Sequence, residues 1–419
     1  MALALTDEEH GWLTDDTSLG RAMAMRIAVR SAELMGAERL VSISHSHIDG
    51  CLYHGDSGVL FSERLAERGA RVVVPTSLNV GALDLKHPEV VKSDAHHREM
   101  ARRQMDAHTA MGCLPTWTCA PYQVGHRPGL GEQVAWGESN AVAFANSVLG
   151  ARTNRYGDFL DICLAVSGRA PYAGLHVAEN RLARIVVDVS GLTPALRDLD
   201  AFYPVLGAWL GRAVGDTVAA IVGLPVDVGE DRLKALGAGA ASTGAVGLFH
   251  VVGVTPEAPD LHTVTGGEAA EETIHLTPEM IQGARDGLDT AKAADSLDCL
   301  ALGSPHFSYD EAMALAAASR DVRFRVPVYV CTNRLTLARL EAEGQAETLR
   351  GRGVTFVVDT CVVVTPILEG HGGVMMTNSA KFAHYGEGNT GYATVFGSLA
   401  DCVASAAAGR IIRDDSQWR

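Results

Sequence analysis

Short β-branched apolar runs alternate along this chain with longer stretches in which apolar residues recur every three or four positions. The runs at 39–44, 71–75, 184–189, 217–222, 246–252, 296–302, 326–330 and 354–358 predict strands. Several are continuously apolar, the pattern of strands covered on both faces. Helical periodicity predicts helices over 19–35, 58–67, 95–110, 132–149, 201–213, 278–288, 309–318 and 336–349. Ser57, Thr277 and Ser308 stand at N-cap positions, and Pro278 suits a first helical residue. Such alternation predicts an α/β protein with parallel or mixed sheets flanked by helices. The longest polar interruption, TPEAPDLHTVTGGEAAEETIH at 255–275, reads as a loop joining two lobes, 1–254 and 276–419.

Composition narrows the function. With 47% hydrophobic residues among 419, the chain can bury a core in more than one lobe. A net charge of −15 argues against nucleic acid as a partner, because phosphates call for a basic face. No apolar run approaches the ~20 residues that cross a bilayer. The start, MALALTDEEH, lacks a basic n-region, so the expected setting is the cytoplasm. The cysteines, Cys51, Cys113, Cys119, Cys163, Cys299, Cys331, Cys361 and Cys402, are then expected as thiols, most of them small buried hydrophobes.

Candidate chemistry gathers in loops at strand ends, where α/β proteins build their sites. SHSHIDGCLYHGDSG (44–58) concentrates His45, His47, Asp49, His54 and Asp56, as metal ligands, acid–base groups or a self-satisfied turn. PTSLNVG (75–81) carries Asn79, able to donate to a carboxylate or to close a turn. CLPTWTCAPYQ (113–123) places Cys113 and Cys119 six apart, too far for a zinc ribbon, in a rigid loop. Glu138, Ser139 and Asn140 head an apolar helical stretch, as an anion-holding helix start or a plain cap. DCLALGSPHFS (298–308) is read as a strand delivering Ser304 and His306 into a loop. FVVDTCVVVTPI (356–367) interrupts an apolar run with Asp359, Thr360 and Cys361. In MTNSAKFAHYGEGNTG (376–391), Ser379 and Lys381 start a helix, as an anion clamp or as a cap followed by a solvated lysine. No Walker sequence, G-x-S-x-G elbow, H-E-x-x-H or compact four-cysteine run occurs.

Taken together, HIDGCLYHGDSG, VPTSLNVG, TCAPYQ, GESNAVAFANSVLGARTNRYGDFLDI, GRAPYAGLH, LGSPHFS, DTC and TNSAKFAHYGEGNTGYATVFGSLADCV resemble the aconitase X family in order and spacing. They run from His47 to Val403, nearly the whole chain. The resemblance implies a multi-lobed aconitase-type fold with its active site in a central cleft beside an iron–sulfur cluster. It also implies dehydratase activity, a carbon–oxygen hydro-lyase. One branch of the family, mostly bacterial, converts cis-3-hydroxy-L-proline to Δ1-pyrroline-2-carboxylate; another, mostly archaeal, dehydrates mevalonate 5-phosphate. Cluster ligands carried over from the latter fall on Cys119, Ser304 and Cys361.

At position 304 the family's Gly-Cys-Pro-His reads GSPH, so a serine replaces one thiolate. Serine ligates iron poorly, which favours [2Fe–2S] over [3Fe–4S] or [4Fe–4S] and tilts the substrate towards hydroxyproline. Substrate-binding positions implied by the resemblance are Gly50, Cys51, Leu52, Asn79, Val80, Glu138, Ser139, Ser379, Ala380 and Lys381. Catalytic candidates are Lys381, Ser379, His47 and Glu138. The general base in such enzymes is a serine of a small swivelling domain with a PGRGSS loop, which these residues lack. The expectation is a heterodimer with a short small subunit. Rival readings are a mevalonate 5-phosphate dehydratase large subunit, a cluster-less binding or scaffold subunit, and a zinc hydrolase.

Overall fold

Cys299–Phe307 is the longest strand in the protein, and every one of its residues is buried. A computed structural model describes residues 3–291, 294–370 and 372–418. Their contacts define two compact units, Met1–Leu83 with Ser93–Leu182, and Asp84–Lys92 with Ala183–Arg419. The units divide at 182/183, and the polar stretch at 255–275 lies within the second. That stretch supplies an edge strand to a four-stranded sheet.

The first unit carries β1 (Leu40–Ser42), β2 (Ser46–Ile48), β3 (Thr76–Leu78), β4 (Ala135–Trp136) and β5 (Arg169–Pro171). β1 pairs antiparallel with β5, and β3-β2-β4 form a small parallel sheet. The strand expected at 71–75 lies one step on, at β3, and the loop expected at 44–58 contains β2. Both strands are only three residues long, too short to mark themselves by periodicity. Ser57 lies inside the helix Asp56–Glu67, which starts after Gly55. The helix expected from 132 begins at Ser139, because β4 occupies the preceding residues.

The second unit adds β6 (Ile185–Asp188), β7 (Ala219–Val222), β8 (Phe249–Val251) and β9 (Glu272–His275), a parallel sheet in the order β8-β7-β6-β9. A second parallel sheet, β12-β11-β10-β13-β14, comprises β10 (Cys299–Phe307), β11 (Val328–Thr332), β12 (Val354–Val357), β13 (Val374–Thr377) and β14 (Ala393–Phe396). Leu300, Leu302, Val328, Val330 and Phe356 pack on one of its faces, and Ala301, Tyr329, Cys331, Met375 and Phe382 belong to a separate apolar cluster. Burial on both faces explains why β10–β12 read as continuous apolar runs. The Ser308–Glu311 capping box and the Thr277 cap with Pro278 stand where the sequence predicted them. Over 336–349 two helices form, Arg334–Ala342 and Gln345–Arg352, broken at Gly344 with φ +72°.

Candidate functional site

In the first unit the polar residues of the HIDG and SLNV stretches face one another across β2 and β3. His47 pairs in register with Ser77, and its Nδ1 lies 2.8 Å from the Ser77 hydroxyl. That hydroxyl points at the Ser46 carbonyl, 3.4 Å away. A hydroxyl has one proton to give, so Ser77 accepts from His47 Nδ1–H and leaves Nε2 with a bare lone pair. His47 Nε2 is buried and has no partner among the described residues. Burial holds the imidazole well below its ordinary pKa, with the neighbouring His45 and His126 adding to the effect, so His47 is neutral. Two residues on, Asn79 donates its amide to the Asp49 carboxyl, which turns the Asn79 carbonyl oxygen, buried and unpartnered, the other way.

The turn after β2 is held by a residue that sequence reasoning did not single out. Asp161 Oδ2 accepts the backbone N–H of Asp49 at 2.7 Å and of Gly50 at 2.9 Å. Its Oδ1 accepts from Ile162 at 2.6 Å. Burial pushes this carboxyl up to about 8, against the Gly50 and Ile162 N–H groups, with Asp158 and Asp49 raising it further. Gly137 permits the approach, since a Cβ there would stand 2.9 Å from the Asp49 Cβ and 3.1 Å from Asp161 Oδ2. The available signal was an Asp at the start of LDICLAVS, an otherwise apolar helix, because a buried carboxyl needs partners.

This wiring revises which backbone groups remain for a ligand. The N–H of Gly50 goes to Asp161, and that of Leu52 to the Asp49 carbonyl at 3.2 Å. Those of Cys51 and Val80 make no hydrogen bond among the described residues. The Cys51 thiol is fully buried against the Asn79 carbonyl at 3.3 Å, and burial raises its pKa well above the ordinary thiol value. Glu138 caps the helix Ser139–Phe144, accepting from Ala141 N–H at 3.0 Å and from the Ser139 hydroxyl at 3.4 Å. A carboxyl therefore already occupies the helix start that had been a candidate for an outside anion. Asn140 donates to the Cys119 carbonyl at 2.8 Å.

In the second unit Ser304 and His306 lie on β10 itself and not in a following loop. Leu302 pairs with Val330 and Phe307 with Thr332, so residues 303–306 arch out of register opposite Cys331. Gly303, at φ +92°, makes the arch possible: a Cβ there would sit 2.0 Å from the Cys331 carbonyl oxygen. The Ser304 carbonyl accepts from the Ser379 hydroxyl. Ser379 also caps the helix Ala380–Thr390, taking Phe382 N–H at 3.1 Å. Ser304, Ser379 and Ala380 line a cavity of about 240 Å³, with Lys234 and Glu311 in its wall. Lys234 is buried and ion-paired to Glu311 and, at 2.8 Å, to Asp231. Its pKa is raised because these carboxylates outweigh the desolvation that opposes it. Lys381 is half-buried one residue further along the helix.

Cys361 follows β12. Just before it, Asp359, at φ +64°, is buried and held by Arg334 at 2.6 and 2.7 Å. His306 Nε2 lies 3.2 Å from the Thr360 carbonyl; burial lowers its pKa to about 4, partly offset by that contact. None of the eight cysteines forms a disulfide. Cys119 and Cys361 are 7% and 8% exposed, as is Ser304 at 8%, whereas the other six cysteines lie between 0% and 3%. Cys119 and Cys361 are thus buried, but less completely than the other thiols, and a thiol is the soft donor that iron–sulfur clusters take. Among the described residues no three His, Cys, Asp or Glu side chains gather as a site for a single ion.

Parallel sheets with polar groups at their strand ends, and a serine that caps the helix carrying Lys381, are features of an α/β enzyme. The patterns of the aconitase X first, second and third domains match residues 2–179, 183–286 and 297–408. The chain belongs to the aconitase X family. It is 41% identical to a cis-3-hydroxy-L-proline dehydratase of Hypocrea jecorina, over 98% of this chain and 69% of that one. With the enzyme of the same name from Pseudomonas aeruginosa the identity is 43%, over 93% and 67%. The phosphomevalonate dehydratase large subunit of Methanothermobacter thermautotrophicus is 37% identical, over 89% and 91%. The crystal structure of Thermococcus kodakaraensis aconitase X in its holo-form matches with a TM-score of 0.86 and 31% identity, covering 96% of this chain and 100% of that one. These named relatives are dehydratases, and no helix among the described residues is long and apolar enough to cross a membrane.

Proposed function

We propose that this chain is the large subunit of an iron–sulfur hydro-lyase that converts cis-3-hydroxy-L-proline to Δ1-pyrroline-2-carboxylate. The observation that carries this reading is the 41–43% identity to cis-3-hydroxy-L-proline dehydratases across 93–98% of the chain, against 37% for a phosphomevalonate dehydratase large subunit. Cys119 and Cys361 are the proposed thiolate ligands, with Ser304 at the third position. Two thiolates and a weak oxygen donor suit [2Fe–2S]. When bound, the cluster supplies a Lewis-acidic iron that eases departure of the hydroxyl.

The chain's own residues bind and orient. Lys381 and the N–H of Ala380, at a capped helix start, hold the substrate carboxylate. Ser379 fixes that helix start to the Ser304 carbonyl and so sets the carboxylate position relative to residue 304. His47, neutral and with its Nε2 lone pair unpartnered, accepts from a substrate donor, as does the Asn79 carbonyl oxygen. The N–H groups of Cys51 and Val80 are the remaining backbone donors. The base that removes the Cα proton is proposed to be a serine of a separate small subunit. This chain spans 67–69% of the hydroxyproline dehydratases' length. Eight cysteines without a disulfide suit a reducing, cytoplasmic setting.

The test is to co-express the chain with its short partner, purify without air, count iron and assay pyrroline formation. Turnover with about two irons per heterodimer is the expected result. Iron without turnover on hydroxyproline, but with turnover on mevalonate 5-phosphate, would replace the substrate. A colourless, iron-free and inactive complex would favour a binding or scaffold subunit.

A further inference from the structure

We propose, on the reading above, that Asn140 and His306 are positioning residues for the cluster, each fixing the main chain at a ligand cysteine before any iron is bound. Neither cysteine stands in regular structure. Cys119 lies in a loop two residues after Trp117, which has φ +45°, and Cys361 follows Asp359 at φ +64°. The Cys361 carbonyl accepts from the Val364 and Thr365 N–H groups, both at 3.2 Å, while the carbonyls of Cys119 and Thr360 each take a buried side-chain donor. Buried Asn140 donates Nδ2–H to the Cys119 carbonyl at 2.8 Å, from the second residue of the helix that Glu138 caps. Fully buried His306 reaches the carbonyl of Thr360, the residue before Cys361, at 3.2 Å. A carbonyl only accepts, so His306 carries its proton on Nε2.

His306 is also part of the arch that presents Ser304, so one imidazole ties the positions of residues 304 and 361 together. Ser379 adds a third brace on the Ser304 carbonyl. All three braces end on backbone oxygens, and none competes with iron for a thiolate. Groups that orient metal ligands from behind affect affinity by about 10–100-fold when removed. The arrangement also accounts for tolerance of serine at 304, since the arch is held by Gly303, His306 and Ser379 whatever the side chain at 304 ligates.

The deciding experiment reads the cluster-free and the iron-loaded chain separately. In the cluster-free chain, His306→Phe should raise amide hydrogen exchange across 360–362 by about tenfold, and Asn140→Asp should do the same across 118–120. Each should leave the other segment unchanged, and His306→Gln, which keeps an N–H donor, should restore parental rates. In the iron-loaded chain, Asn140→Asp and His306→Phe should release iron to a ferrous chelator about 10–100-fold faster, while His306→Gln stays near the parent. Far-UV circular dichroism reports folding; if His306→Phe does not fold, His306→Leu takes its place, and the comparison with His306→Gln still decides. Exchange and iron release within twofold of the parent would overturn the proposal. A parent chain that takes up no iron would instead overturn the functional reading, a separate outcome.

Discussion

The two units build their polar residues on different foundations. In the first, three-residue strands carry His47 and Ser77 and lead into Asp49 and Asn79; these side chains bond in pairs, and Asp161 holds the Asp49 and Gly50 N–H groups. In the second, Ser304 rides on a nine-residue strand at the centre of a five-stranded sheet whose two faces are packed with apolar side chains. Precision thus comes from a polar network in one case and from hydrophobic packing, bent locally at Gly303, in the other. A polar network responds to pH and to single-atom changes; a packed strand responds to volume.

The largest expected effect falls on both units alike. Cys119→Ala and Cys361→Ala should each abolish visible absorbance and turnover in the loaded heterodimer; full activity in either would break the ligand assignment. Gly303→Ala should destabilise the second unit by about 3 kcal/mol or more, because the new Cβ meets the Cys331 carbonyl oxygen at 2.0 Å. A denaturant melt unchanged by that substitution would refute the packed-arch account.

Lys381→Met should lower kcat/KM by about 30-fold or more, as expected for a lost charge-assisted contact worth about 2 kcal/mol. An unchanged value would remove Lys381 from the carboxylate site.

In the first unit the readout is pH. The folded pKa of Asp161, about 8, stands above an ordinary carboxyl near 3.9, so the folded state holds the proton more tightly. This group's stabilisation is complete below pH ~4 and is lost as pH rises towards 8, at up to about 1.4 kcal/mol per pH unit. Asp161→Asn should flatten that slope, measured as melting temperature against pH. A slope identical in the variant would show that the Asp161 proton does not matter. The smallest effect on stability should come from Ser304→Cys, expected instead to alter iron content and the visible spectrum. No change in either would indicate that position 304 is not a ligand.

Much of this was legible in the chain. Runs such as Val354–Val357 and the helices Ala95–Ala110 and Tyr309–Ala318 follow from burial and periodicity, which are local properties. The ordered motif loops identified the family. By contrast, β2 and β3 are too short to announce themselves, and the tie of β9 into a sheet overrode a composition that reads as loop.

What the sequence determined by itself is therefore the α/β class, the family and a set of candidate positions, because these depend on residue type and order. Tertiary structure alone decided which groups are spent and which are available. It committed the Gly50 N–H to Asp161, left the Asn79 carbonyl oxygen and the His47 Nε2 buried without partners, and carried β10 through Ser304. It also set His306 and Asn140 on backbone carbonyls. Hydrogen bonds between Asp49 and Asp161 or between His306 and Thr360 join residues far apart in the chain, and no local pattern encodes which partner a buried polar group will find.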